Sequence, residues 1–141
     1  MQHNLLIFPY PFEDSAFDLL VCRHCIEHLP DTIATINEFH RIVKAGGRIV
    51  LEYPHFSWHE AYRHPQHCHW FSSGSFDYFH PANEHYTAKL KMLKKMIYFG
   101  NTMMKILGVQ FFANRFRRLW ESKLAFILPA TVVYLEMEVV K

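Results

Sequence analysis

The sequence predicts an α/β domain with a partly parallel sheet, and three observations support that fold class. Residues 17–22 are apolar at all but one position, which is typical of a strand covered on both faces in a parallel sheet. Apolar residues recur at helical spacing in 32–44, and a second β-rich stretch follows at 48–53. Strand, helix and strand joined by short turns form one βαβ unit, which is right-handed in nearly all proteins.

Short local signals set the limits of these first elements. The apolar run 5–8 is predicted as a short strand that ends at Pro9, because proline cannot donate to a strand ladder. Asp31 is placed to cap the N-terminus of the helix in 32–44. Gly46 and Gly47 are predicted to end that helix.

The second half of the chain is predicted as loop, strand, helix and strand. Residues 55–87 are rich in His and aromatic side chains without clear periodicity, which predicts a long ordered loop with a short helix near 73–79. Residues 88–99 fit either a helix or a strand, and 131–140 is a β-branched closing strand. An apolar stripe in 112–127 predicts one amphipathic helix packed on the sheet; the alternative is a helix lying on a membrane surface.

Together these elements are interpreted as a single domain in three parts. They are a βαβ core (1–54), a His- and aromatic-rich loop insertion (55–87) and a strand–helix–strand unit (88–141). Half of the residues are hydrophobic, which is enough to build a core.

Charge and cysteine usage narrow the class of protein. A formal net charge of +2 gives no indication of nucleic-acid binding. The apolar run 124–135 is too short to span a bilayer, and Pro129 interrupts it. Three cysteines, an odd number, favour a reducing compartment, so we expect a cytoplasmic protein without a membrane span. Cys22 closes a strand rather than opening a helix, which favours packing over a redox pair with Cys25.

A run of motifs in 11–30 carries a family resemblance. It begins Pro-Phe-Glu-Asp-Ser-Ala-Phe-Asp and ends in Glu27-His28-Leu29. This order resembles the LPF-x-D-x-S-F-D and E-H-L motifs of class I S-adenosylmethionine-dependent methyltransferases, especially the type 11 branch. Residues 61–67 and the C-terminal helix and strand resemble later parts of the same domain.

The resemblance implies the C-terminal portion of a Rossmann-like methyltransferase sheet, with parallel strands and a final antiparallel pair. It also implies S-adenosylmethionine as the cofactor and methyl transfer to an unidentified acceptor. The family's E/D-x-G-x-G-x-G loop, whose glycines let the cofactor approach the backbone, does not occur in the sequence. We therefore expect an N-terminally truncated domain with an incomplete cofactor site, which binds the cofactor weakly or not at all and is inactive alone.

Five residues are expected to contact the cofactor, all on the basis of the resemblance. The segment before the first motif matches the loop that touches the adenine ring, which points to Asn4 and Leu5. Cys22 and Arg23 end the strand that lines the methionine part of the cofactor. His28 lies in the turn that faces the same pocket.

Histidines are the only candidates for catalysis or metal binding. His55 and His67 are candidate general bases, although many methyl transfers need only alignment of the reacting groups. The spacing of His64, His67 and His69 matches no closed structural zinc pattern, so no metal site is predicted. A His-rich metal-binding protein remains an alternative.

A third hypothesis is a degenerate, non-catalytic methyltransferase-like binding or regulatory module. Missing strands would leave an open parallel edge on the sheet, and open edges have to be covered. Self-association or a partner chain would then cover that edge.

Overall fold

A four-stranded mixed sheet forms the centre of the computed structural model, which describes residues 3–141. The strands are β1 (Phe17–Arg23), β2 (Val43–Pro54), β3 (Lys89–Tyr98) and β4 (Val132–Val140), in the order β1-β2-β4-β3. Strands β1 and β2 are parallel, and β4 lies antiparallel between β2 and β3. The predicted α/β class and the final antiparallel pair are confirmed.

Short helices connect the strands. In chain order they are α1 (Thr32–Ile42), α2 (His59–Arg63), α3 (Thr102–Ile106), α4 (Val109–Arg115) and α5 (Arg117–Lys123), with 3-10 turns at Ile26–His28 and Asp77–Phe79. Helix α1 joins β1 to β2 and completes the predicted βαβ unit. Within residues 3–141, no helix combines the length and the apolar character needed to cross a membrane.

The start of α1 agrees with the sequence, but its end does not. The Asp31 carboxylate accepts the backbone N–H of Ala34 at 2.8 Å, which confirms the predicted cap. The helix ends at Ile42, and Gly46 and Gly47 lie inside β2. The predicted glycine C-cap is therefore wrong: Gly46 has φ +75°, and the glycines form an irregularity where the pairing with β1 shifts register.

Strand β1 is more exposed than its apolar sequence predicts. Phe17, Leu19 and Val21 are 36%, 54% and 50% exposed, and only Cys22 is buried. Because alternate side chains of a strand share one face, these three exposed residues leave one face of β1 uncovered, and the prediction of a strand covered on both faces is wrong. Among the described residues β1 also pairs with β2 alone. Residues 5–8, predicted as a strand, form turns and bends instead.

The region between β3 and β4 packs a small second core around Trp120. Its ring lies 5.4 Å from that of Phe99 and 5.2 Å from that of His55, measured between centroids. The single helix predicted over 112–127 is instead two helices, because the chain bends at Phe116 (φ −126°, ψ 50°), just before the turn that buries Trp120.

Much of the apolar stripe predicted over 112–127 faces outward. Phe116, Leu119 and Ile127 are 46%, 52% and 72% exposed. The prediction that this stripe is buried is confirmed for Trp120 and is wrong for these three side chains.

Candidate functional site

A cleft of about 390 Å³ runs along β1 toward its carboxyl end. Strand β1 forms one wall, the N-terminal segment with Tyr10 and Phe12 forms the other, and Phe39 of α1 closes the base. The fold brings together three of the five predicted cofactor contacts in the lining of this cleft: Leu5, Cys22 and Arg23. The carboxyl end of a parallel strand is where open α/β sheets bind ligands.

Arg41 of α1 holds the N-terminal wall in place. Its guanidinium donates to the carbonyl oxygens of Tyr10 (3.0 Å) and Phe12 (2.9 Å), and to the Asp14 carboxylate at 2.7 Å. Two further bonds of 2.8 Å reach both oxygens of Glu38, which also accepts the N–H of Tyr10 at 2.7 Å. The hydrogen bonds from Arg41 lower the pKa of Glu38, although burial opposes the shift. Sequence reasoning missed this clamp, whose only signal is a Glu–Arg pair at i,i+3.

A buried carboxylate lies next to the carboxyl end of β1. Glu27 is 2% exposed, and among the described residues its Oε2 atom has no hydrogen-bond partner. Its Oε1 atom is 3.7 Å from Nδ1 of His24, a residue held at φ 45° in the turn after β1. An unsatisfied buried carboxylate is costly, so Glu27 marks a place where a cation or donor is needed. Glu27 is not among the site residues predicted from the sequence.

Two cysteines line the cleft beside this carboxylate. The hydrogen bond between the Cys22 and Cys25 side chains raises the pKa of Cys22 and lowers that of Cys25 to about 7. Burial and the nearby charge of Glu27 oppose the shift at Cys25. Both thiols are free, and Cys22 is buried, as its packing role requires.

Two other predicted cofactor contacts lie outside the cleft lining. The side chain of Asn4 accepts the backbone N–H of Leu6 at 3.1 Å, within its own turn. His28 packs against His64 and His67, with ring centroids 5.2 and 4.7 Å away. Their role in binding the cofactor stays a prediction.

The two candidate bases also lie away from the cleft lining. His55 is fully buried; its Nε2 atom donates to the Glu121 carboxylate at 3.1 Å, so its Nδ1 atom accepts from the Ser57 hydroxyl at 2.8 Å. Burial raises the pKa of Glu121, but hydrogen bonds from His55 and Ser73 outweigh it and leave the pKa lowered. His67 donates from Nδ1 to a backbone carbonyl at 2.8 Å. His55 therefore ties α5 to the start of the loop, and a general-base role for either histidine stays a prediction.

Comparison with known proteins identifies the family. Residues 8–88, more than half of the chain, match the family model described as "Methyltransferase domain". The chain therefore belongs to the methyltransferase domain family, as the motif run in 11–30 indicates. Among curated proteins, phosphoethanolamine N-methyltransferase 2 of Caenorhabditis elegans is 38% identical over 42 residues, which cover 30% of this chain and 10% of that protein.

Solved structures confirm the fold. The YcgJ protein from Bacillus subtilis is 20% identical with a TM-score of 0.59, over 94% of this chain and 68% of that chain. Phosphoethanolamine N-methyltransferase 2 of Haemonchus contortus, solved with S-adenosyl-L-methionine, is 16% identical with a TM-score of 0.53. The match covers 94% of this chain and 35% of that chain. The Rossmann-like, S-adenosylmethionine-dependent methyltransferase fold is thus confirmed. The chain spans only 10% to 21% of the length of the curated relatives that it matches.

Proposed function

We propose that this chain takes part in methyl transfer from S-adenosylmethionine, and that its cleft holds the methionine end of that cofactor. The observation that carries the proposal is the cleft at the carboxyl end of β1, lined by Leu5, Cys22 and Arg23. Family membership supports S-adenosylmethionine as the ligand, as does its presence in the structure of the Haemonchus relative.

The charges around the cleft fit the two ends of an amino acid. The buried Glu27 carboxylate does not itself line the cleft, but its charge acts on Cys25, which does. Its Oε2 atom has no hydrogen-bond partner among the described residues and suits the ammonium group of the methionine moiety. The Arg23 side chain lines the cleft and is 63% exposed; its Nε atom lies 3.6 Å from the Glu52 carboxylate, and we propose that its guanidinium also contacts the carboxylate of the methionine moiety. Apolar residues of β1 and the N-terminal wall leave room for the less polar parts of the cofactor.

Methyl transfer of this kind requires little covalent chemistry from the protein itself. When bound, S-adenosylmethionine supplies an electrophilic methyl group on its sulfonium sulfur. In this chain Glu27 and Arg23 would hold the methionine end, and the wall clamped by Arg41 would exclude water from one side. Methyl transfer then depends on alignment with an oxygen, nitrogen or carbon nucleophile, and we leave the acceptor open.

We also propose that a further strand pairs with the outer edge of β1. Strand β1 lies at one end of the strand order and pairs with β2 alone among the described residues, and an unpaired strand edge favours pairing with another chain. The strand comes from self-association or from a partner chain. Mass measurement in solution tests this proposal, since a stable monomer at all concentrations would count against it.

Calorimetric titration with S-adenosylmethionine tests the cofactor site. We expect weak binding, in the millimolar range, because the chain contains no glycine-rich loop motif. Glu27→Gln keeps the shape of the side chain and removes its charge, so affinity should fall about tenfold. Glu60→Gln, at a partly exposed position outside the cleft lining, is the matched control and should leave affinity unchanged. Absence of binding, or equal losses in both variants, would contradict the proposal.

A further inference from the structure

We propose that His28, His64 and His67 form a binding site for a divalent cation of the zinc class, with one coordination position left open. One ligand atom from each imidazole lies within 4.8 Å of the other two. The ring centroids are 4.7 to 5.2 Å apart. Imidazole nitrogen is a preferred ligand of zinc and of its neighbours in the first transition row.

The backbone brings two distant segments together at this cluster. The N–H groups of Cys68 and His69 both donate to the carbonyl of Glu27, at 2.8 and 3.3 Å. Within the second segment, the N–H of His67 donates to the carbonyl of His64 at 3.2 Å. The turn that carries His28 and the loop that carries the other two histidines are therefore held against each other without any ion.

Two of the rings are already in the tautomer that binds metals. His67 donates from Nδ1 to the carbonyl of Ala61 at 2.8 Å, and Nδ1 of His28 faces the carbonyl of Gln66 at 3.3 Å. A carbonyl only accepts, so each Nδ1 carries the proton and each Nε2 keeps its lone pair. Metal-binding histidines are oriented in this way by a second hydrogen bond.

His64 is the most exposed member of the site. Its Nδ1 atom accepts from the N–H of Gln66 at 3.3 Å, a long contact, and its ring is exposed. Zinc–nitrogen bonds of about 2.0–2.1 Å in a tetrahedron place the nitrogens about 3.3 Å apart. Ligand atoms within 4.8 Å of one another must therefore approach by up to about 1.5 Å, and rotation of the exposed His64 ring can supply this for its distances to the other two.

The structure also explains why the sequence did not predict this set. His69, which completes the local His-rich spacing, donates from Nε2 to the carbonyl of Pro30 at 3.0 Å. His28, far away in the sequence, takes its place beside His64 and His67. Three histidines leave the fourth tetrahedral position to water or to another ligand. His28 then serves the cation rather than the cofactor.

Metal binding is measured on protein made without a histidine tag, by titration with zinc sulfate and by the visible spectrum of the cobalt-loaded protein. We expect one ion per chain and a tetrahedral cobalt spectrum. His64→Ala and His67→Ala should each weaken zinc binding about tenfold or more. His59→Ala, an exposed histidine of the same loop that bonds only to Glu60 among the described residues, should leave it unchanged.

Circular dichroism of each variant checks that the fold is retained. No stoichiometric binding by the wild type, or an equal loss in His59→Ala, would overturn the site. The zinc titration uses no S-adenosylmethionine, so a negative result would not count against the proposed cofactor cleft. In the same way, a negative cofactor titration would not count against the cation site.

Discussion

Replacing Arg41 with alanine removes the clamp between α1 and the N-terminal wall of the cleft. Arg41 donates five hydrogen bonds of 2.7 to 3.0 Å, to two backbone carbonyls and to the carboxylates of Asp14 and Glu38. The Arg41 and Glu38 side chains are 26% and 14% exposed, whereas Asp14 is 76% exposed. The loss therefore falls mainly on the backbone carbonyls and on Glu38.

The expected destabilisation follows from those contacts. Hydrogen bonds to charged groups contribute about 1.5–3 kcal/mol each, and removing one partner of a buried ion pair costs about 3–5 kcal/mol. Because the Glu38–Arg41 pair is only partly buried and keeps the N–H of Tyr10, we expect Arg41→Ala to lower the free energy of unfolding by about 2–4 kcal/mol.

Urea denaturation followed by circular dichroism measures this change. Lys44→Ala is the matched control: Lys44 forms a 2.8 Å ion pair with Asp18, but the two side chains are 47% and 82% exposed. That variant should lose less than about 1 kcal/mol. A loss for Arg41→Ala no larger than that of the control would mean that Arg41 does not clamp the N-terminal wall.

The pH dependence provides a second readout. The pKa of Glu38 is lowered by folding from an ordinary value of 4.5, so its contribution is fully present above that pH and is lost as pH falls through the folded pKa. The stability difference between wild type and Arg41→Ala should therefore be constant near neutrality and shrink in acid. A difference that grows below pH 4.5 would contradict the assignment.

Three further predictions concern the cleft and its supports. In a Cys68→Ala background, iodoacetamide should alkylate Cys25 with a pH midpoint near 7. Adding Cys22→Ala should raise that midpoint toward 9.0, and an unchanged midpoint would rule out the hydrogen bond between Cys22 and Cys25. Gly47→Ala should lower the free energy of unfolding by about 1–3 kcal/mol, because a Cβ would lie 2.7 Å from a methyl group of Val43. Gly74→Ala, where a Cβ would meet no atom closer than 3.6 Å, should be neutral. Glu121→Ala should cost about 2–4 kcal/mol in thermal unfolding, since two donors lose their acceptor, and a neutral result would remove the proposed tie between α5 and the loop.

Local signals in the sequence predicted the elements whose stability is local. The spacing of apolar residues placed α1, and Asp31 placed its first turn, because capping involves only neighbouring residues. The β-branched run at the C-terminus placed β4, whose strand pairing confirms the final antiparallel pair.

Contacts between distant residues decided what the sequence did not reveal. Gly46 and Gly47 look like a helix end, but the pairing of β2 with β1 extends the strand back to Val43. The helix break at Phe116 precedes the turn that buries Trp120. The cluster of His28 with the loop histidines depends on backbone bonds across the fold, which local spacing does not encode.

The central claim is that the cleft at the carboxyl end of β1 receives the methionine end of S-adenosylmethionine. Its most direct test is a titration followed by backbone amide NMR, which detects weak binding and locates it. We predict chemical-shift changes at Leu5, Cys22, Arg23 and Cys25 that saturate at millimolar ligand. No change at these amides, or changes confined to 55–87, would contradict it.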